Sequence, residues 1–174
     1  MPKRTDQYLW LENLKDAKVK KWFSKRDRAS RRLLRTLSAK LKPRIKHYYS
    51  IPYALLARTS KKGHFVLSRE GGKFKIKLIT SDGFSSELID STDLGKDVVL
   101  QWIYVSDDGD KFAFSYSLGG SDEGILKVME THSGEVLDEL KGVIGNIVWL
   151  DEDKYFYGRF YQKKKTPDGV APPT

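Results

Sequence analysis

The chain has 174 residues, of which 39% are hydrophobic and 12% aromatic, enough for the packed core of one domain. It contains no cysteine, which excludes disulfides, thiolate metal sites and thiol nucleophiles. The net charge of +9 is concentrated in residues 1–48, which hold 16 lysines and arginines against 4 acidic residues, whereas residues 49–174 are slightly acidic.

The N-terminus, Met1–Asp6, lacks the apolar run of a secretion signal. No stretch approaches the roughly 20 apolar residues that a membrane-spanning helix needs. These features predict a cytoplasmic, soluble protein with no membrane partner.

A basic helical segment is predicted over residues 1–49. Asp16 can cap a helix that begins at Ala17, and Pro43 is expected to break or restart it before it ends near Tyr49. Apolar residues recur at helical spacing along one face: Val19, Trp22, Phe23, Leu33, Leu34, Leu37 and Leu41.

From Ile51 onward, short β-runs alternate with turn residues, a pattern that predicts antiparallel hairpins. Gly71-Gly72, Asp82-Gly83, Asp108-Gly109 and Gly119-Gly120 suit tight connections between them. The ten predicted strands are Ile51–Arg58, His64–Arg69, Phe74–Thr80, Ser86–Asp90, Val98–Val105, Lys111–Tyr116, Gly124–Glu130, Glu135–Leu140, Asn146–Leu150 and Lys154–Tyr161.

The strands repeat in groups of four. The aromatic residues Phe65, Phe112 and Tyr155 lie 47 and then 43 residues apart, close to the period of propeller blades. We therefore predict a mainly β fold with N-terminal α-helices and an incomplete β-propeller over residues 50–174. Blade one would span residues 51–90, blade two 98–140 and half of blade three 146–161, followed by a tail at 162–174.

Several segments, in the same order, resemble the prolyl oligopeptidase family. They are Trp10-Leu11-Glu12, Ser50-Ile51-Pro52, Leu88-Ile89-Asp90 and, most specifically, Ser115–Gly124 followed by Val128-Met129-Glu130 and Thr131–Glu135. Glu123 departs from the pattern, because the family usually has an aromatic residue there. The segment 165–173 resembles the loop that leads to the next strand of blade three, so we expect the sequence to end within a blade.

The resemblance implies a serine peptidase that cleaves short peptides after proline, with its catalytic residues in a C-terminal α/β-hydrolase domain. This chain would be the non-catalytic docking and gating portion, truncated and inactive alone. Gly120, Ser121 and Asp122 match the family's Gly-Ser-Asp loop, which the resemblance places near the side that faces the catalytic domain. The expected partners are that domain and short proline-containing peptides. Part of the helical stripe should be exposed, since that domain would cover it.

The residues themselves indicate no catalytic, metal or cofactor site. The sequence has no Gly-x-Ser-x-Gly nucleophile elbow, and a turn between two strands is the preferred interpretation of Ser121. His47, His64 and His132 fall in a helix end, a strand start and a turn, without metal-ligand spacing. The Ser106–Asp110 loop is too short for a calcium-binding helix-loop-helix.

Two alternatives remain open from the sequence. The basic helix could bind nucleic acid through its lysines and arginines, although a solvated face is the preferred interpretation. Alternatively, exposed blade edges could pair between copies, giving a stand-alone, self-associating scaffold.

Overall fold

The computed structural model describes residues 6–151, 154–161, 166, 167 and 169. The chain divides into two compact units, residues 1–49 and residues 50–174. Most of the predicted tail at 162–174 lies outside the described residues. Among the described residues, no helix is both long enough and apolar enough to cross a membrane.

The first unit contains a 3-10 helix, Leu9–Glu12, and one long helix, α1, at Ala17–Ser50. The Asp16 carboxylate accepts a hydrogen bond from the Lys18 backbone N–H at 2.7 Å, which confirms the predicted cap. The predicted break at Pro43 is wrong, because α1 continues through it. Proline removes one backbone hydrogen bond, and the residues on both sides keep the helix intact.

The apolar stripe of α1 is covered only near its N-terminal end. Val19 is fully buried, and Trp22 packs edge-on against Trp10 with ring centroids 6.1 Å apart. Phe23 is 48% exposed and Leu33 is 84% exposed. The expectation that part of this stripe is exposed is therefore confirmed.

The first sheet of the second unit has four antiparallel strands in chain order. They are β1 (Tyr53–Ser60), β2 (Gly63–Glu70), β3 (Lys73–Ile79) and β4 (Ser85–Asp90). Each lies within two residues of its predicted range, because alternating apolar residues and tight turns are local signals.

The second sheet has five antiparallel strands, also in chain order. They are β5 (Val98–Val105), β6 (Lys111–Leu118), β7 (Gly124–Glu130), β8 (Val136–Trp149) and β9 (Tyr155–Phe160).

The prediction of separate strands at Glu135–Leu140 and Asn146–Leu150 is wrong. β8 runs through both, pairing with β7 along its first half and with β9 along its second. The intervening residues 141–145 contain two isolated glycines, but no Asn-Gly or Gly-Gly pair to close a tight turn. The expected third-blade hairpin is formed by the second half of β8 with β9, but β8 continues into it without a break. The described residues therefore form nine strands rather than ten.

The main core lies between the two sheets, where β1, β2 and β3 contact β5. Phe112, Phe114 and Tyr116 of β6 all belong to this core, which confirms that they share one face of the strand. Phe65 of the first sheet approaches Phe112 with ring centroids 5.7 Å apart. The aromatic residues at the repeated position, Phe65 and Phe112, therefore pack against each other between the two blades.

The other face of β6 packs under the β8–β9 hairpin. Ala113 lies there in a smaller core with Leu126, Val128 and Ile147. Strands β5 to β7 are thus covered on both faces, by the first sheet and by the β8–β9 hairpin, as a propeller blade between two neighbours should be.

The outer face of the first sheet carries charged residues. Lys75 lies 2.5 Å from the Glu87 carboxylate and 3.2 Å from that of Asp90, and Lys77 lies 2.6 Å from Glu70. Pairs of this kind are individually worth about 0–1 kcal/mol. Their effect is to make this face compatible with water rather than to hold the sheet together.

Asp90 is the most strongly perturbed carboxylate of this face. It accepts hydrogen bonds from the backbone N–H of Thr92 at 2.8 Å and from the Thr92 hydroxyl at 2.7 Å. These bonds, with a smaller contribution from Lys75, lower the pKa of Asp90 to about 2. The ionised form therefore stabilises the folded state.

One rim of the stacked sheets is closed by the β5–β6 turn. The Lys62 ammonium of the β1–β2 turn pairs with the Asp110 carboxylate. Gly109 lies between them with φ +83°, and a Cβ there would come within 2.5 Å of Ser60 Oγ and 3.0 Å of Lys62 Cβ. Glycine is thus needed both for the backbone conformation and for the close approach of the two blades.

Candidate functional site

The predicted site residues lie in the turn between β6 and β7. Gly119 and Gly120 have φ values of +62° and +76°, and the Ser121 N–H donates to the Leu118 carbonyl at 3.3 Å. Two successive positive φ angles define a type I′ turn, which favours glycine at both positions. The predicted hairpin turn at Ser121 is therefore confirmed.

Ser121 is held from two sides. Its hydroxyl accepts a hydrogen bond from the Glu123 backbone N–H at 3.2 Å, and its carbonyl accepts one from Gln101 Nε2 at 3.1 Å. Gln101 lies at an irregularity of β5, where the pairing register shifts between Leu100 and Trp102. The bulge therefore ties the turn to the neighbouring strand.

Gly124, at the start of β7, allows a close approach behind this turn. A Cβ at this position would lie 2.6 Å from the Tyr116 carbonyl oxygen and 3.6 Å from Gln101 Oε1. The strand therefore packs closely against β6 without a side chain at the base of the turn.

A cleft of about 390 Å³ opens beside the turn, between the β6–β7 hairpin and β8. Ser121 and Glu123 line one side, and Lys141 and Gly142 of β8 line the other. A second cleft of about 110 Å³ is also lined by Glu123, Lys141 and Gly142. It extends to Arg159, Phe160 and Tyr161. Asp122 lines a separate void of about 10 Å³. The structure thus places Gly120, Ser121 and Asp122 together on one exposed turn, with Ser121 and Asp122 facing different cavities.

Two serines of β6 lie beneath this turn. Ser115 is 7% and Ser117 2% exposed, and in the described part of the chain neither Oγ has a hydrogen-bond partner. Unsatisfied buried hydroxyls are unusual, because leaving such a group unpaired costs about 1–3 kcal/mol. Ser117 lines the larger cleft and Ser115 the small void, which is large enough for about one water molecule.

The floor of the larger cleft is apolar and partly shielded from water. Tyr116 lines it, and burial is the main cause that raises the pKa of its phenol, with a smaller contribution from the charge of Glu139. Lys127 lies over the Tyr116 ring, with Nζ 5.9 Å from the centroid. At the edge of the cleft, Lys141 lies 3.3 Å from the Glu139 carboxylate.

This geometry does not support hydrolysis by Ser121. None of the described residues that line the cleft is a histidine, and the Ser121 hydroxyl is engaged in the turn. His64 Nδ1 lies 3.0 Å from the Thr59 hydroxyl on β1, His47 lies in α1, and His132 lies in the β7–β8 turn. The described lining of this cleft therefore gives Ser121 no histidine of the kind that activates a nucleophile.

A further cleft of about 170 Å³ lies at the opposite rim. Asp107, Asp108 and Asp151 line it together with Trp149 and Lys61. Within the described residues, no group of three or more histidine, aspartate or glutamate side chains is arranged to hold a metal ion.

Sequence reasoning found the turn but missed its surroundings. Gln101, an amide within an otherwise apolar strand, was the available sign of a bulge. Lys141 and Gly142 both fell in the gap between two predicted strands, and their place in the cleft follows only from the continuity of β8.

The chain matches a family model described as the prolyl oligopeptidase N-terminal beta-propeller domain, over residues 2–172. No curated protein is significantly similar to it in sequence. A prolyl endopeptidase from a structural study of two such enzymes and their inter-domain dynamics is 25% identical, with a TM-score of 0.68. The match covers 79% of this chain and 22% of that one.

Prolyl oligopeptidase B from Galerina marginata shares the fold. Bound to a 25mer macrocyclization substrate, it is 19% identical with a TM-score of 0.72, covering 95% of this chain and 27% of that one. Bound to a 35mer substrate, it is also 19% identical, with a TM-score of 0.62 and coverages of 78% and 23%. The chain thus spans about a quarter of the length of the solved enzymes that it matches.

Proposed function

The chain belongs to the family of prolyl oligopeptidase N-terminal β-propeller domains, and we propose that it is the docking and gating portion of a post-proline serine peptidase. The observation that carries the proposal is the match of residues 2–172 to the propeller domain, combined with the absence of a nucleophile elbow from the 174 residues. The chemistry would reside in a separate α/β-hydrolase domain. The propeller would admit short proline-containing peptides to it and exclude folded proteins.

The β6–β7 turn is the proposed contact with the catalytic domain. It is exposed, it is held rigidly by Gln101 and by the type I′ backbone, and it borders the larger cleft. Rigid, exposed turns on a sheet scaffold are well suited to recognition, because little conformational entropy is lost on binding. Gly120, Ser121 and Asp122 would form this contact.

The experiment measures binding of the chain to the separately purified catalytic domain of a prolyl endopeptidase, by titration calorimetry. Ser121→Trp places a bulky side chain on the exposed turn, and Asp122→Lys reverses its charge. Each should weaken binding by about tenfold or more if the turn forms the contact.

His132→Trp is the matched control, because His132 lies in the β7–β8 turn at the other end of β7. It should leave the affinity unchanged. Equal affinities for wild type and the Ser121 and Asp122 variants would remove the turn from the interface. Failure of wild type to bind at all would contradict the docking function.

The exposed face of β9 favours a second candidate function, a self-associating scaffold. Phe156 is 66% exposed, Phe160 is 63% exposed, and Val148, which pairs with Phe156, is 55% exposed. Exposed apolar patches on a sheet edge favour association between copies. Analytical ultracentrifugation should then show a dimer that Phe156→Lys disrupts, whereas Phe84→Lys, at a position that is also 66% exposed, has no effect. A monomer at all concentrations would exclude this function.

A further inference from the structure

Helix α1 carries a row of basic residues along one side. It is 34 residues long and contains 13 lysines and arginines but only one acidic residue, Asp27. Eight positions of the helix, starting at residue 21, are alternately four and three residues apart, and only Ala39 among them is uncharged. Such steps keep side chains on one side of a helix. The other seven positions form the basic row: Lys21, Lys25, Arg28, Arg32, Arg35, Lys42 and Lys46.

The continuity of α1 makes the basic row straight. Because the helix continues through Pro43, Lys46 stays in line with the cations that precede the proline. At a rise of about 1.5 Å per residue, the row extends for about 38 Å, and its successive positions lie about 5 Å apart. All of its cations are exposed. The row is therefore a long, regularly spaced line of positive charge.

The basic row and the apolar stripe lie on opposite sides of α1. Arg28 and Leu37 are nine residues apart, which places them half a turn from each other at about 100° per residue. Arg26 and Arg44 lie within the stripe and do not belong to the row. A catalytic domain that packs against the stripe would leave the row on the outer side of the helix. A ligand of the row therefore does not need the stripe to be uncovered.

The helix supplies no counterion for the basic row. Its one carboxylate, that of Asp27, pairs with Arg31, outside the row, at 2.7 Å. Cations about 5 Å apart repel one another, and a polyanion that lies along them relieves this repulsion.

The centre of the row is suited to phosphate. Arg28, Arg32 and Arg35 follow one another there, and a guanidinium group donates paired hydrogen bonds to phosphate oxygens. Arg28 Nε donates to the Ser24 carbonyl at 3.2 Å, which leaves the two terminal nitrogens of this guanidinium for a ligand.

From this arrangement we propose that the basic row binds the phosphate backbone of single-stranded nucleic acid. A single strand carries one negative charge per nucleotide and is flexible enough to follow a straight row. The backbone of a duplex winds once around its axis in about 34–36 Å, so it would turn away from a row of this length. An acidic protein would need an equally long and uninterrupted line of carboxylates.

Binding of this kind should not depend on base sequence. No position of the row is aromatic, so the row offers no ring on which bases could stack. The sequence left nucleic-acid binding open but favoured a solvated face, and the continuity of α1 through Pro43 adds the alignment of the cations. The proposal goes beyond the peptidase function and does not depend on it.

The experiment is a fluorescence anisotropy titration of a labelled single-stranded oligonucleotide of about 20 nucleotides with the 174-residue chain. If all seven cations contact phosphates, log K should fall with log salt concentration at a slope of about −5, a loss of about a thousandfold between 50 and 200 mM salt. The variant Arg28→Gln/Arg32→Gln/Arg35→Gln should reduce the slope to about −3 and weaken binding at 50 mM salt by at least about tenfold.

Arg26→Gln/Lys40→Gln/Arg44→Gln is the matched control, because it removes the same charge from outside the row. Its slope should stay near −5 and its affinity within about threefold of wild type. Glutamine has a helix propensity close to that of lysine and arginine, and circular dichroism verifies that α1 is retained in both variants.

Four results would each overturn the proposal. They are no binding by wild type at 50 mM salt, equal losses in the two variants, binding of a duplex or of a polyglutamate peptide as tight as that of the single strand, and displacement of the oligonucleotide by the separately purified catalytic domain of a prolyl endopeptidase. Whether that domain binds the chain at all is measured separately by calorimetry, so a failure of the docking function is distinguishable from a failure of nucleic-acid binding.

Discussion

The contact between the first two blades can be tested at Gly109. Replacing it with alanine has two costs that can be separated. A side chain at φ +83° is strained by about 1–2 kcal/mol. The new Cβ would also lie 2.5 Å from Ser60 Oγ and 3.0 Å from Lys62 Cβ, and relieving such overlap costs about 1–3 kcal/mol.

Gly109→Ala should therefore lower the free energy of unfolding by about 2–5 kcal/mol. Gly134→Ala is the matched control, because Gly134 has a similar φ of +72° but no atom within 4 Å of the added Cβ. The free energy of unfolding of Gly134→Ala should fall only by the cost of the strained φ angle, about 1–2 kcal/mol. Both variants restrict the unfolded chain equally, so that effect cancels in the comparison.

Urea denaturation followed by far-ultraviolet circular dichroism measures both variants. Ser60→Ala removes the nearest clashing atom and should restore part of the loss when combined with Gly109→Ala, but not when combined with Gly134→Ala. If Gly109→Ala and Gly134→Ala are equally destabilised, or if Ser60→Ala restores nothing, the close approach of the two turns does not contribute to stability.

Three further predictions concern chemistry, packing and acid stability. The chain alone should not hydrolyse a fluorogenic Gly-Pro substrate, and turnover that survives purification and is lost in Ser121→Ala would refute this. Phe114→Ala, at a fully buried position between the blades, should cost about 3–5 kcal/mol in denaturant titrations, whereas Phe84→Ala, at an exposed position, should cost less than about 0.5 kcal/mol. Because its folded pKa of about 2 lies below the ordinary value of 3.8, ionised Asp90 contributes stability above about pH 5 that is lost progressively as the pH falls towards 2. The free energy of unfolding of Asp90→Asn should therefore be about 1–2 kcal/mol lower than that of wild type at neutral pH, after allowance for solvent screening. As the pH falls, it should decrease less steeply than the free energy of unfolding of wild type or Asp93→Asn.

The elements that the sequence predicted well depend on neighbouring residues. Asp16 caps α1 because its carboxylate reaches a backbone N–H two residues away. The Gly119-Gly120 pair closes a turn because both residues tolerate positive φ. Alternation along β6 separates Phe112 and Phe114 from Ala113, so the sequence alone predicted the two faces of the strand.

The two errors arose where a local signal competes with contacts elsewhere. Pro43 is a strong helix breaker by itself, yet the loss of one hydrogen bond does not end a helix whose neighbouring turns remain favourable. Gly142 fell in the gap between two predicted strands. Pairing of β8 with β7 before it and with β9 after it keeps the backbone extended across this residue.

For the candidate site, the sequence determined the turn that contains Gly120, Ser121 and Asp122, since turn geometry follows from two adjacent glycines. Only the tertiary structure decided that Gln101 anchors this turn, that Lys141 lies across a cleft from Ser121, and that Ser117 is buried beneath it. These relationships join residues about 20 or more positions apart or depend on the packing of β8. Hydrophobic periodicity and turn preferences involve only neighbouring residues, so they cannot predict such contacts.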